Sequence, residues 1–277
     1  LMRMAFVADG YRDQAGVVVS QPGPATVEVQ VWGAADPEVV VGQVARILSL
    51  DVDATGWDEL GAGDPLLGRL QGARPGLRPP LFHSAYEALA WSILSARRPA
   101  TAMIGLRDRL SQAHGGSFEL AGRAVHAFPT PEQLLAVRGF PGLPEEKLAR
   151  MQAVARLAAD GELDTVALKA LDPAEAMAKV CAIKGIGPFY GTLVIVRALG
   201  HTDVLAEGEP RLLAILGQLL GLPGPASQAQ LAEVTAGWRP WRTWGSVAIR
   251  AAGPRLAASA EPVPSPGRRP EAVTGSR

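Results

Sequence analysis

The pattern of apolar and polar residues divides the chain into a short β region and a long helical region. Near the N-terminus, V-V-V-S at 17–20 and the alternating T-V-E-V-Q-V-W at 26–32 flank Q-P-G-P, which predicts two short antiparallel strands joined by a turn. From Asp36 onward, apolar residues recur at helical spacing in segments that Gly and Pro interrupt. These segments predict helices at 37–49, 62–71, 84–97, 101–114, 131–137, 144–160, 173–182, 188–199, 210–220, 227–236 and 240–251.

The same pattern predicts the domain organisation. We expect a short β-rich element over residues 1–35 and a mostly α-helical domain over residues 36–256. Residues 257–277 are rich in Pro, Gly, Ser and Arg, and such a segment cannot bury enough apolar surface to offset the entropy of ordering it. We therefore expect a disordered tail.

The composition is that of a globular protein. The 277 residues are 48% hydrophobic and 19% charged, which is enough for one large core or two smaller ones. No stretch approaches the roughly 18 to 20 apolar residues that a membrane span requires, and the first residues turn polar too early for a signal peptide. We therefore expect a cytoplasmic location and no membrane partner.

Residue types that bind metals or nucleic acids are sparse. The single cysteine, Cys181, excludes a disulfide framework within the chain, and the four histidines lack metal-ligand spacing, so we expect no zinc. Basic and acidic residues number 27 each, which does not favour a protein that coats nucleic acid. Two local basic clusters stand out: Arg97 with Arg98, and four arginines without an acid between Trp238 and Arg255. Each is either a solvated helix face or a contact for an acidic partner.

A pair of glycines at 185 and 187 carries the first chemical signal. In I-K-G-I-G-P-F-Y-G at 183–191, they lie between two predicted apolar helices. Such a turn aims backbone N–H groups at one point before a helix N-terminus, which suits an anion such as a DNA phosphate. An ordinary tight connection between two helices is the alternative interpretation.

Several separate segments resemble one known family, the helix-hairpin-helix superfamily of DNA base-excision glycosylases, and within it the 3-methyladenine DNA glycosylase II branch. The resemblance runs from about residue 47 to residue 251. The segments that carry it include D-P-L-L-G-R-L at 64–70, S-A-Y-E-A-L-A-W-S-I-L at 84–94, the hairpin at 183–191 and W-R-P-W-R-T-W at 238–244.

The resemblance implies a fold and an activity. It implies a mostly α, two-lobed helix-hairpin-helix glycosylase fold, with the hairpin motif at about 173–199, after a small antiparallel β element. It also implies a monofunctional enzyme without an organic cofactor, which flips a damaged, alkylated base out of double-stranded DNA and hydrolyses its N-glycosidic bond, leaving an abasic site. The balanced charge and ordinary helical faces give no reason to expect more than a monomer. The hairpin would contact DNA phosphate through Lys184, Gly185, Ile186 and Gly187. A monovalent cation would bind the backbone carbonyls of Cys181, Ile183 and Ile186.

The catalytic position departs from the family pattern. Glu209 stands where the family has an aspartate that stabilises positive charge on the deoxyribose C1′. Glutamate keeps the charge but adds a methylene, and a displacement of about 1 Å can lower a rate on the order of 10²-fold. Gly208 before it can adjust the backbone, and Pro210 after it suits the first position of a helix.

The base pocket departs at three positions. Phe189 occupies the place of the lysine that forms a Schiff base in bifunctional relatives, so we expect no lyase activity and an aromatic wall for the flipped base. Leu193 replaces a tyrosine and Arg250 replaces a tryptophan, so the cage for a cationic base loses two walls. Arg250 either points into the pocket and pairs with Glu209, or faces solvent or DNA phosphate.

The DNA-wedging loop departs as well. Arg97, in S-A-R-R-P at 95–99, stands where the family has an apolar or amide wedge. It either fills the gap left by the flipped base or contacts phosphate together with Arg98. An idle surface charge is the alternative interpretation.

These departures leave three functions open. The first is an active glycosylase for a damaged, alkylated base. The second is a DNA-binding protein that keeps the hairpin but has weak or no catalysis, which the changes at Glu209, Leu193 and Arg250 suggest. The third is an active glycosylase for an uncharged lesion, which suits the loss of the cation cage.

Overall fold

The computed structural model describes residues 1–205 and 207–258, and they form two compact units. The first unit contains residues 1–53 and 78–204. The second contains residues 54–77 and the described residues from 205 onward. Each unit is therefore built from two separate stretches of chain.

The described residues are mostly helical. The helices are Pro37–Ile47 (α1), Trp57–Gly63 (α2), Pro65–Ala73 (α3), Ala85–Ser95 (α4), Ala100–His114 (α5), Pro131–Ala136 (α6), Glu145–Ala159 (α7), Thr165–Lys169 (α8), Pro173–Cys181 (α9), Pro188–Val194 (α10), Pro210–Leu219 (α11), Gln228–Val234 (α12) and Arg242–Ala258 (α13). A π-helical turn, Ile195–Leu199, extends α10, and a 3₁₀ turn, Ala236–Trp238, follows α12. Within the described residues, no helix combines the length and the apolar character that crossing a membrane requires.

A three-stranded antiparallel sheet opens the first unit. Its strands are Met2–Val7 (β1), Gln14–Gly23 (β2) and Thr26–Gly33 (β3), in the order β1-β2-β3. The two predicted strands correspond to β2 and β3, but the prediction of only two was wrong. Strand β1 does not show the alternation of apolar and polar residues that predicts a strand. Its neighbouring apolar residues Phe6 and Val7 are both buried, Phe6 in the apolar cluster under the sheet and Val7 in the apolar cluster of the helices.

A second, two-stranded hairpin was also missed. Ser117–Glu119 (β4) pairs antiparallel with Ala124–His126 (β5) inside the region predicted to be helical. Three residues per strand are too few to show a period of two in the sequence.

The first unit has two apolar clusters. Helix α1 packs Val40 and Val44 against Phe6 and Val17 of the sheet. The larger cluster consists of buried side chains from α4, α7, α9 and α10, among them Met151. This helical core supports the glycine hairpin, because α9 and α10 both contribute to it.

The second unit is built around tryptophans. Trp238, Trp241 and Trp244 are 0%, 7% and 3% exposed and therefore act as packing residues. The indole N–H of Trp238 donates to Asp64 Oδ2 at 2.8 Å, while Asp64 Oδ1 accepts from the Leu67 N–H and caps α3. One carboxylate thus joins the helix start to the aromatic core.

The last helix is longer than predicted. Helix α13 continues to Ala258, past the predicted end at 251 and into the predicted tail, so both boundaries were wrong. Pro254 lies inside this helix: it lacks an N–H and its ring crowds the carbonyl four residues earlier, yet the residues up to Ala258 are helical. The rest of the predicted tail, 259–277, lies outside the described residues.

Candidate functional site

The glycine hairpin connects α9 and α10 in the first unit. Gly185 has φ = +99°, a left-handed conformation that glycine adopts without strain, and Gly187 is the N-cap of α10. Ile186 is 5% exposed, and its backbone N–H donates to the Ile183 carbonyl at 3.0 Å. Lys184 is exposed beside it. The buried Ile186 anchors a turn whose two glycines face solvent.

Helix α10 carries the two predicted pocket residues of the first unit. Phe189 is 50% exposed and stacks edge to face on Tyr190, with 5.2 Å between the ring centroids. Leu193, one turn later, is partly buried. Phe189 therefore presents an aromatic surface to solvent one residue after the first helical position.

The loop after α4 presents the two predicted arginines. Arg97 and Arg98 are both exposed, and Arg97 has φ = +58°, which is uncommon for a residue with a side chain. The Arg98 N–H donates to the Ser95 carbonyl at 3.1 Å. Lys147 of α7 donates to the carbonyls of Leu94 and Ala96 at 2.6 and 2.8 Å, a contact that the sequence did not reveal.

Glu209 begins α11 in the second unit. It is the N-cap residue, and its Oε2 accepts from the Leu212 N–H at 3.0 Å. Gly208 before it has φ = +63°, and Pro210 after it is the first residue of the helix. The carboxylate is thus held at a helix N-terminus, where the helix dipole stabilises its negative charge.

Arg250 of α13 pairs with this carboxylate. Its Nη1 lies 2.5 Å from Glu209 Oε2, with side-chain exposures of 38% and 22% for Arg250 and Glu209. Of the two orientations that the sequence left open for Arg250, the structure has the one that pairs with Glu209. The pair places a cation beside the carboxylate predicted to stabilise positive charge.

A close approach of α11 and α13 brings the pair together. Gly253, three residues after Arg250, lies so near Ile215 that a β-carbon there would overlap its Cγ2 atom. The glycine lets the two helices pack tightly. Glycine at 253 therefore supports the Glu209–Arg250 contact, which joins residues 41 positions apart.

A buried carboxylate in the first unit was not recognised from the sequence. Glu87 of α4 accepts from the Val7 N–H at 3.1 Å and from Arg107 Nη2 at 2.8 Å, and contacts His83 Nδ1 at 3.0 Å. Burial raises the pKa of the Glu87 carboxyl, but His83, Arg107 and the Val7 N–H outweigh it and lower the pKa to about 2. Glu87 thus ties β1, α4 and α5 together through one charge.

A cavity of about 350 Å³ adjoins this network. It is lined by Leu81, Phe82, His83, Trp91, Ile104, Arg107 and Arg197. Its polar side chains already have partners: Arg107 and His83 contact Glu87, and Arg197 Nε donates to the Pro80 carbonyl at 3.1 Å. We therefore treat these groups as structural.

Comparison with known proteins gives a consistent set of relatives, although no protein-family model matches the chain. The DNA-3-methyladenine glycosylase of Bacillus subtilis is 24% identical over 217 residues, which are 76% of this chain and 70% of that protein. The probable bifunctional transcriptional activator/DNA repair enzyme AlkA of Mycobacterium tuberculosis is 29% identical over 203 residues, which are 73% of this chain and 40% of that protein. The solved structure of the 3-methyladenine DNA glycosylase from Archaeoglobus fulgidus matches with a TM-score of 0.66 at 22% identity, over 89% of this chain and 84% of that one.

The fold, the glycine hairpin and these relatives point to one class of protein: the chain is similar in sequence and fold to the DNA glycosylases of the helix-hairpin-helix superfamily. The predicted fold class, mostly α with a small N-terminal antiparallel sheet, is confirmed. The relatives that resemble the chain in sequence are named as 3-methyladenine DNA glycosylases or as AlkA, which agrees with the expected 3-methyladenine DNA glycosylase II resemblance.

Proposed function

We propose that this protein is a DNA repair glycosylase that flips a damaged, alkylated base out of double-stranded DNA and hydrolyses its N-glycosidic bond, leaving an abasic site. The enzyme acts as a monomer in the cytoplasm, at the nucleoid. Phe189 in the place of the Schiff-base lysine supports a monofunctional enzyme, because a side chain without an amine cannot form the covalent intermediate of a lyase.

The observation that carries the proposal is the carboxylate of Glu209. It is partly exposed, at the helix start where the family has its catalytic aspartate. As the bond breaks, positive charge develops on the deoxyribose, and a nearby carboxylate stabilises it and orients the attacking water. In this proposal the carboxylate must leave Arg250, so the Glu209–Arg250 pair opens when DNA binds.

The glycine hairpin would bind the DNA backbone. Its exposed glycines and the adjacent Lys184 suit a phosphate, which positions the protein without reading sequence. A monovalent cation at the carbonyls of Cys181, Ile183 and Ile186 belongs to the same proposal. Cys181 ends α9, and the last carbonyls of a helix lack intrahelical partners, so oxygen ligands are available there. Such a cation would supply charge that draws a phosphate to the hairpin.

The Glu209–Arg250 pair favours a second candidate function. A protein whose carboxylate stayed neutralised by Arg250 would bind DNA through the hairpin without cleaving the glycosidic bond. An active glycosylase for an uncharged lesion is the intermediate case between these two functions. The Arg250 cation would repel a cationic base more than a neutral one.

Single-turnover base release from duplex DNA separates these functions. The substrates are a methylated duplex and a panel of deaminated and oxidised duplexes. We expect release of the alkylated base, with an abasic site and no strand cleavage by a lyase step. Release confined to uncharged lesions would support the intermediate case. No release from any duplex, with salt-sensitive DNA binding retained, would favour the binding protein.

Removing the charge at Arg250 should change the lesion preference. We expect Arg250→Met to raise the single-turnover rate for a cationic methylated base by about tenfold relative to an uncharged deaminated base, because a pairwise repulsion of about 1.4 kcal/mol disappears. Arg250→Lys keeps a cation and is the matched control. An equal fall in both rates would show that Arg250 instead supports the geometry of Glu209.

A further inference from the structure

Two cations on one face of α7 contact the two elements that are expected to meet DNA. Lys147 and Arg150 are three residues apart on the helix and therefore lie on neighbouring positions of its surface. Lys147 reaches the end of α4, and Arg150 reaches the glycine hairpin. All of these groups belong to the first unit.

Lys147 holds the start of the arginine loop. Its Nζ donates to the carbonyls of Leu94 and Ala96 at 2.6 and 2.8 Å, where α4 ends and its last carbonyls lack intrahelical partners. A cation at a helix C-terminus is favoured by the helix dipole, and charge-assisted bonds are stronger than neutral ones. The next residues are Arg97, in its left-handed conformation, and Arg98. Lys147 therefore fixes the backbone from which both arginines project.

Arg150 lies against the hairpin. A β-carbon built on Gly185 would lie 3.3 Å from both Cδ and Nη1 of Arg150, so the Arg150 side chain lies beside the glycine, which keeps an exposed face. Arg150 also pairs with Glu146 on α7. Burial, and then the charges of Arg98 and Arg150, lower the pKa of Lys147. The cations of α7 and the arginine loop are thus close enough to act on one another.

We propose that Lys147 is a positioning residue for base extrusion: through the carbonyls of Leu94 and Ala96 it holds the loop with Arg97 in a fixed place relative to the hairpin that Arg150 contacts from the same helix. The proposal rests on the proposed function, because it assigns that loop to the gap left by a flipped base. A wedge must resist the stacking of the duplex, and an error of about 1 Å in its place can lower a rate on the order of 10²-fold.

The Lys147 amino group is directed at protein carbonyls, which distinguishes positioning from a direct phosphate contact. A phosphate ligand contributes to DNA affinity and to its salt dependence. A positioning residue changes the rate of base extrusion and leaves that salt dependence unchanged. The two roles therefore give different results in one set of measurements.

The experiment compares Lys147→Met, which keeps most of the stem and loses the donors, with Arg156→Met, an exposed cation in the last turn of the same helix. The probe is a duplex with 2-aminopurine next to a tetrahydrofuran abasic-site analogue, whose fluorescence rises when the loop unstacks the neighbouring base. We expect Lys147→Met to slow this rise in fluorescence by about tenfold or more. Its DNA affinity should stay within about threefold of that of the unsubstituted protein, and the slope of log affinity against log salt concentration (the salt slope) should be unchanged. Arg156→Met should match the unsubstituted protein.

A second variant, Arg97→Ala, tests the proposal even if Lys147→Met fails to fold. Arg97 is exposed, and we expect Arg97→Ala to slow the rise similarly, and the double variant to be no slower than either single one. Additive effects, a normal rise in Lys147→Met, or a salt slope lowered by about one in that variant would overturn the proposal. No rise with the unsubstituted protein would also overturn it. Because the analogue has no glycosidic bond to a base, a failure to release any base overturns only the proposed activity.

Discussion

Glu209→Gln should lower the single-turnover rate of base release by roughly 10²- to 10³-fold, the loss expected when one group that stabilises transition-state charge is removed. The amide is close to the carboxylate in size, and its oxygen can still accept the Leu212 N–H, so the start of α11 should be preserved. The amide carries no negative charge to offset the charge that develops on the deoxyribose. DNA affinity should stay the same or rise, because a negative charge is removed from a protein that binds phosphate.

Rate and affinity are measured on the same methylated duplex. Glu207→Gln is the matched control, since Glu207 is exposed two residues earlier and should leave the rate unchanged. Full release by Glu209→Gln would exclude this carboxylate as the catalytic group. Glu209→Asp restores the residue that the family has at this position and tests whether the extra methylene limits the rate.

Glu87→Gln should lower the free energy of unfolding by about 3 kcal/mol at neutral pH, at the low end for breaking a buried ion pair because His83 and Arg107 keep some exposure to water. The pKa of Glu87 falls from 4.5 to about 2 on folding, and such a shift corresponds to a similar free energy. The Val7 N–H would also lose a charged acceptor. Base release by the folded fraction should be nearly unchanged.

The effect of Glu87 should depend on pH in a defined direction. Because folding lowers its pKa, the unfolded chain binds the proton more tightly, and the stabilisation is complete above about pH 4.5 and is lost as pH falls towards 2. Urea unfolding followed by circular dichroism should therefore show the difference between variant and unsubstituted protein shrinking over that range. Glu119→Gln, on the exposed strand β4, should change the free energy by less than about 0.5 kcal/mol at any pH. A constant difference for Glu87→Gln would mean that packing, and not charge, is responsible.

Local signals in the sequence predicted much of the helical framework. The hairpin at 183–191 was found because two glycines between apolar segments specify a tight turn by themselves. The start of α11 was predicted because proline suits the first helical position, and the structure adds that Glu209 caps it with its own side chain. Strand β1 was not found, since its neighbouring residues Phe6 and Val7 belong to different cores and show no alternation.

Contacts between distant residues decided the chemistry of the candidate site. The sequence placed Glu209 and Arg250 in one family pocket but left two orientations open, because a side chain's partner depends on how α11 and α13 pack. The contact of Lys147 with the end of α4 joins residues more than 50 positions apart and has no local signal. The sequence by itself thus determined most of the helices, the glycine hairpin and the candidate residues, since periodicity, caps and short motifs act over a few neighbouring positions. Only the tertiary structure decided which charges meet, because that depends on the packing of whole helices.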